Sequence, residues 1–290
     1  MKNSINIKKN KIGYYNFKKI PHPEELKKYY KEKYFSKNIS YKDKLLSSEK
    51  LYLKVHALIK IFMIKKLLKR NLRNLSILDI GAGTGRFLFD VKNYFKNHLG
   101  VDYSANNLEK FIKNKINFQE NDPKIFIKDN IKEFDIITLN NVLEHVPDVD
   151  FFLKNLFLNT KKSTLFLITV PNDFSFLQKI TNKVVKKKNY WLAPPEHLNY
   201  FNNYNFKNFA KSKNFKILDA ISDFPVELFL LIKEFDYTKD KKLGKNIHLL
   251  RCEITNYLFK NYELNKLYQI FKSLNELHIG RNNIYLIKKM

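Results

Sequence analysis

The sequence predicts an α/β fold: a doubly wound parallel sheet with helices on both faces. Three observations predict it. From Leu75 onward, short apolar runs alternate with stretches of helical period, the signature of βαβ units. Those runs are almost continuously apolar, as strands covered on both faces must be. Three of the chain's seven glycines, Gly81, Gly83 and Gly85, fall within five residues between the first such run and the helix after it. Average usage would give roughly 20 glycines, so a cluster in this chain marks a turn where a side chain would obstruct.

The elements follow in order. Residues 1–72 are expected to form a helical extension: PHPEELKKYYKEKYF opens on proline, and Ser47–Arg70 repeats Leu51, Val55, Leu58, Ile59, Phe62 with helical spacing. Residues 73–222 form the core. LSILDI, HLGVDY, INFQE, FDIITLN and STLFLITV read as strands, with helices through 87–94, 106–113 and 149–158 between them. Residues 171–198 leave the pattern as a lid-like excursion. A helix over 203–213 follows, with Asn202 as N-cap and Asn214 as a left-handed stop. FKILDAIS is the next strand. Residues 223–280 form a helical insertion that caps the substrate side, ending in one long amphipathic stretch, and 281–290 supply the last strand.

Composition narrows the class. Apolar residues make up 44% of the 290, enough for a real core, so wholesale disorder is excluded. One cysteine, Cys252, excludes a disulfide framework and a cysteine zinc site. It fits a reducing, cytoplasmic setting. Charge interrupts each long apolar stretch, as Lys60 does in VHALIKIFMI, so no membrane span is expected. The net charge of +26 invites a nucleic acid or other polyanion. The lysines are scattered, however, and no nucleic-acid motif accompanies them; compositional drift is the preferred reading.

Two common glycine-rich turns fail here. A phosphate loop needs Gly-Lys-Ser/Thr, and the dinucleotide fingerprint needs a small third residue at 86; position 86 is Arg. The remaining pattern, Asp79-x-Gly81-x-Gly83-x-Gly85, resembles the nucleotide loop of class I S-adenosylmethionine-dependent methyltransferases. GVDYS at 100–104 is similar to that family's second motif. NNVLEHVPD at 140–148 resembles the fourth-strand motif of the branch holding quinone O-methyltransferases and surface-glycan sugar methyltransferases. The resemblance covers 75–220 and implies a Rossmann-like seven-stranded sheet with S-adenosylmethionine as cofactor. It implies that Asp79, Gly81, Gly83 and Gly85 shape the cofactor loop and that Asp102 takes the ribose hydroxyls, with Tyr103 beside it. Asn121 and Asp122 fall on the adenine side, where Asp129 and Asn130 compete. Asn140 and Asn141 lie by the methionine portion, and Glu144 faces substrate.

A sulfonium methyl is already activated, so the protein need supply only alignment and a base for a weakly acidic acceptor. His145 and His197 are the histidines that the resemblance places beside the methyl, His197 being narrowly favoured as base. Its titration is expected near the ordinary value of about 6.5. Either histidine could instead serve only packing. No metal is assigned. Tyr190 and Trp191 are expected to form an aromatic wall for an acceptor, or to pack the lid. His248 and Arg251, three apart, share a helix face in the insertion; arginine suits a phosphate or carboxylate.

The expected function is methyl transfer to a small or glycan-linked acceptor, a sugar hydroxyl being favoured and a nucleotide- or phosphate-linked one included. The alternatives are a quinone-type O-methyltransferase, an RNA methyltransferase using the positive charge, and a non-catalytic cofactor binder.

Overall fold

The computed structural model describes residues 7–18, 20–29, 45–128, 131–185 and 187–290. The continuation of the expected helix through 30–35 and the candidates Asp129 and Asn130 lie outside them. The N-terminal extension is not helical from its start. Strands β1 (Ile7–Lys9) and β2 (Tyr15–Phe17) form an antiparallel hairpin. Asn10 explains the turn: its side-chain oxygen accepts from the amides of Ile12 and Gly13 at 3.0 and 2.9 Å, an asparagine-driven reversal. β2 then pairs with β8 (Asn199–Tyr200), tying the extension to the end of the lid. Helix α1 (Pro23–Tyr29) and the long α2 (Ser47–Leu67) follow.

The central sheet holds β3 (Ser76–Ile80), β4 (Asn97–Asp102), β5 (Asn117–Glu120), β6 (Ile136–Asn140), β7 (Leu165–Pro171), β9 (Phe215–Ser222) and β10 (Asn282–Lys289). Its spatial order is β5-β4-β3-β6-β7-β10-β9. β3 to β7 are mutually parallel. β10 runs antiparallel between β7 and β9, so the sheet is mixed rather than wholly parallel. Strand order reverses between β3 and β6. The loops there diverge and open a crevice at the carboxyl ends, where ligands bind in such sheets.

Successive strand residues face opposite layers. Leu78, Ile80, Ile137, Leu139, Phe166 and Ile168 pack with Phe152 and Leu156 of α6 (Val149–Leu158) and with Phe206 and Phe209 of α8 (Asn203–Ser212). Ile77, Ile136, Leu165 and Leu167 pack on the other face. There they meet Val55, Ile59 and Met63 of α2, Leu88 of α3 (Arg86–Val91), and Leu267 and Phe271 of α10 (Leu264–Glu276). Asn202 caps α8 through the Asn205 amide, and Asn214 takes φ 58°, both as the sequence predicts.

The expected amphipathic stretch of the insertion is two helices, α9 (Lys241–Asn261) and α10, broken by extended backbone at Tyr262. α9 lies along α2, and α10 lies on β9. The extension and the insertion therefore share one wall of the molecule.

Candidate active site

The glycine loop joins β3 to α3. Gly81, Gly83 and Gly85 have φ of 72°, 54° and 74°, left-handed values that favour glycine. A Cβ on Gly81 would lie 2.7 Å from a Val142 methyl, and one on Gly85 would lie 2.4 Å from the Phe89 ring. These two glycines are thus required by the protein's own packing. Asp102 ends β4, almost buried. Its carboxylate accepts from the Gly83 amide at 2.8 Å and the Ser104 amide at 3.3 Å. It therefore sets the loop. The Tyr103 hydroxyl donates to Asp122 at 2.7 Å, and Asp122 also caps helix α5 (Pro123–Phe126).

Asp79 is buried under the loop. Thr138 Oγ1 and Asn140 Nδ2 donate to its carboxylate, and burial pushes its pKa up to about 6. Asn140 Oδ1 in turn accepts from Lys60 Nζ. Lys60 is a buried lysine of α2 whose pKa burial lowers to about 8. In the sequence Lys60 stands out only as the charge that interrupts the apolar run VHALIKIFMI. Asn141 follows with φ 55° and is exposed.

The next turn meets the end of the lid. The Glu144 carbonyl accepts from the amides of Leu198 and Asn199 at 2.7 and 3.0 Å. Asn199 Nδ2 donates to the carbonyls of Leu143 and Val146 at 2.9 and 2.7 Å. These bonds bring the two expected histidines together, with ring centroids 5.0 Å apart, edge to face. His145 Nδ1 lies 2.7 Å from the Glu196 carbonyl. A carbonyl only accepts, so Nδ1 carries the proton and Nε2 is the basic nitrogen. Burial lowers the pKa of both rings, His197 well below the usual value, so both are neutral near pH 7.

The Glu144 side chain is buried, and burial raises its pKa to about 8. In the sequence Glu144 and His145 stand as a possible metal pair with no second ligand cluster visible. The structure brings one ligand atom each of Glu144, His145 and His197 within 4.8 Å of one another, a donor set that suits a nitrogen- and oxygen-preferring divalent ion.

Beside His197 lies a cavity of about 320 Å³. Tyr190 and Trp191 of the lid, Tyr237, His248 and Arg251 of the insertion, and Arg281 line it. The expected aromatic wall and the expected His248–Arg251 face thus meet in one place. Arg281, which sequence reasoning missed, pairs with Asp173 at 3.2 Å and Glu227 at 3.5 Å.

A family model described as a methyltransferase domain matches residues 58–220. The chain belongs to the class I S-adenosylmethionine-dependent methyltransferases. Its cofactor is S-adenosylmethionine, and the site fits that molecule. It offers a left-handed glycine loop, a strand-end carboxylate and a buried cation. The methyltransferase is 34% identical over 107 residues to the ubiquinone biosynthesis O-methyltransferase of Pelagibacter ubique (strain HTCC1062), covering 35% of this chain and 44% of that one. It is 27% identical over 177 residues to the Coxiella burnetii (strain Dugway 5J108-111) protein of that name, covering 58% and 74%. The chain therefore spans less than half the length of the first relative.

Two solved structures share the fold. Phosphoethanolamine N-methyltransferase 2 of Haemonchus contortus, in complex with S-adenosyl-L-methionine, gives TM-score 0.52 at 15% identity, covering 88% of this chain and 59% of that one. The plantazolicin methyltransferase BpumL gives 0.52 at 16%, covering 92% and 98%.

Glu144 yields a stability prediction. Its folded pKa of about 8 exceeds the ordinary 4.5. The unfolded chain therefore loses this proton first, and stability falls as pH rises from 4.5 to 8. Glu144→Gln removes that component. In thermal melts, the variant should gain on wild type steadily between pH 5 and 8. A difference independent of pH would mean that Glu144 is ionised in the folded protein.

Proposed function

We propose that this methyltransferase O-methylates a small polar acceptor, a sugar hydroxyl. The cavity beside His197 carries the reading. Its lining mixes aromatic faces with two guanidinium groups and a carboxylate, which suits a hydroxylated ring. The names of the relatives favour a second reading, a phenolic hydroxyl of a quinone precursor. A long apolar tail finds little to match in this lining. The positive charge gives little support to RNA. A groove lined by Lys65, Lys69, Arg70 and Arg73 precedes β3, at the edge of the sheet away from the crevice.

In this reading S-adenosylmethionine supplies a methyl on positively charged sulfur. Asp102 takes the ribose hydroxyls. Tyr103 and Asp122 flank the adenine, and Asn140 and Asn141 flank the methionine portion. Lys60 holds the α-carboxylate: it is cationic, buried and bonded to Asn140. His197 lines the cavity and takes the acceptor proton as the new C–O bond forms. His145, its tautomer fixed by Glu196, packs against His197, which burial keeps neutral. The products are the methyl ether, S-adenosylhomocysteine and one proton, carried first by the imidazole.

Calorimetric titration tests the cofactor assignments. Gly83→Val forces a side chain into left-handed backbone, and Asp102→Ala removes the ribose acceptor. Each should weaken S-adenosylmethionine binding at least 100-fold. Lys60→Met, which removes a charge-assisted bond, should cost about 10- to 100-fold. Near-wild-type affinity in all three contradicts the assignment.

The base has a pH signature. A base works only when unprotonated, so activity should fall on the acid side as pH drops through its lowered pKa. The wild-type rate should therefore stay flat from pH 8 to below 6.5. His197→Ala should lose about 10²–10⁴-fold in turnover and lose the acid limb, with cofactor affinity nearly unchanged. His145→Ala should retain more activity, with the limb shifted. Losses under tenfold in both variants would exclude a histidine base. Activity lost on chelation and restored by a divalent ion would transfer the role to an ion held by Glu144, His145 and His197.

A further inference from the structure

The cavity between lid and insertion has two electrically different ends. At one end, Arg281 is already neutralised by Asp173 and Glu227. Glu227 Oε1 also accepts from Gln178 at 3.0 Å, while its Oε2 is buried with no partner. That oxygen can take a hydroxyl proton from a ligand and can offer nothing to an anion.

At the other end stands Arg251. Its Nη2 lies 3.2 Å from His248 Nδ1, and its guanidinium sits 5.1 Å over the Tyr52 ring. Its Nε is buried without a partner. Among the described residues no carboxylate pairs with it. Two carboxylates act on it from farther off: Asp223, which also bonds Tyr52, and Glu49, one step removed, with Oε1 3.5 Å from His248 Nε2. Half-buried and without a direct ion pair, the guanidinium can still pair with an anion in the cavity. Its planar fork matches a carboxylate or phosphate. Between the two ends lie the rings of Tyr190, Trp191 and Tyr237, faces on which a sugar ring can rest.

We infer that the acceptor is an acidic sugar: its carboxylate or phosphate seats on Arg251, and one of its hydroxyls bonds to Glu227 Oε2. This rests on the sugar reading above. His248 is a positioning residue, holding the guanidinium in the cavity wall through its contact with Glu49. Tyr52 supports the guanidinium from below.

The test uses the full chain with saturating S-adenosylmethionine and a panel of hexoses, each offered as neutral methyl glycoside, as uronate and as 1-phosphate. Wild type should prefer one acidic series over the neutral one by at least tenfold in kcat/KM. The preferred series tells carboxylate from phosphate. Arg251→Met should lose about 10- to 100-fold more on the acidic series than on the neutral one, with cofactor affinity within twofold. Arg251→Lys should recover part of the preference, and it carries the test where the methionine variant does not fold. Equal use of neutral and acidic sugars by wild type would overturn the inference alone. So would equal losses on both series in the variants, which would make Arg251 a structural strut. Methylation of a catechol and of no sugar would overturn the sugar reading itself.

Discussion

The candidate site depends on one set of contacts, the docking of residues 196–199 onto the turn at 143–146. Four backbone groups of that turn and the returning strand would otherwise be buried without partners. The Glu144 carbonyl and the Asn199 amide satisfy them together. Such groups are costly to leave unpaired, so the lid has one place to return to. The docking fixes the Glu196 carbonyl against His145, sets the two imidazoles edge to face, and lets β8 recruit the N-terminal hairpin. Asn16 donates to Asn199 Oδ1 at 2.6 Å, and the Tyr29 hydroxyl reaches Glu196 Oε1. The extension is thereby a support of the site as well as a source of Lys60.

Burial shifts five ionisable groups along this path. Asp79 and Glu144 move up, and Lys60, His145 and His197 move down, with desolvation the largest cause for each. At pH 7 this leaves Glu144, His145 and His197 uncharged, while Asp79 and Lys60 keep their charges. That suits methyl transfer from a cation. A neutral imidazole is available to accept a proton, and a low-dielectric surrounding strengthens the contacts proposed for Asp102 and Lys60.

The sheet and the glycine loop were legible because local rules decide them. Apolar runs fix strands, and Gly81, Gly83 and Gly85 fix a turn that no other residue type adopts cheaply. The caps Asn202 and Asn214 were legible for the same reason. The hairpin at 7–17 escaped because its signal is one asparagine and one glycine in a lysine-rich stretch. The break at Tyr262 escaped because neither proline nor glycine marks it. Lys60, Arg281 and Asp173 escaped because their meaning lies in partners 80 to 108 residues away. His145 and His197 could be named singly, but their contact required the lid to close on the turn, which spacing alone does not encode.

The most direct test of this account is the nitrogen-detected NMR spectrum of the histidine side chains, followed through a pH titration in wild type and in Asn199→Ala. In wild type His145 should be the Nδ1–H tautomer, and both imidazoles should titrate below 6.5. In the variant, with the lid no longer pinned to the turn, His145 should revert toward the Nε2–H form common in water, and its titration should rise toward 6.5. A wild-type His145 already in the Nε2–H form and titrating near 6.5, unchanged by the substitution, would contradict the claim that this docking builds the site.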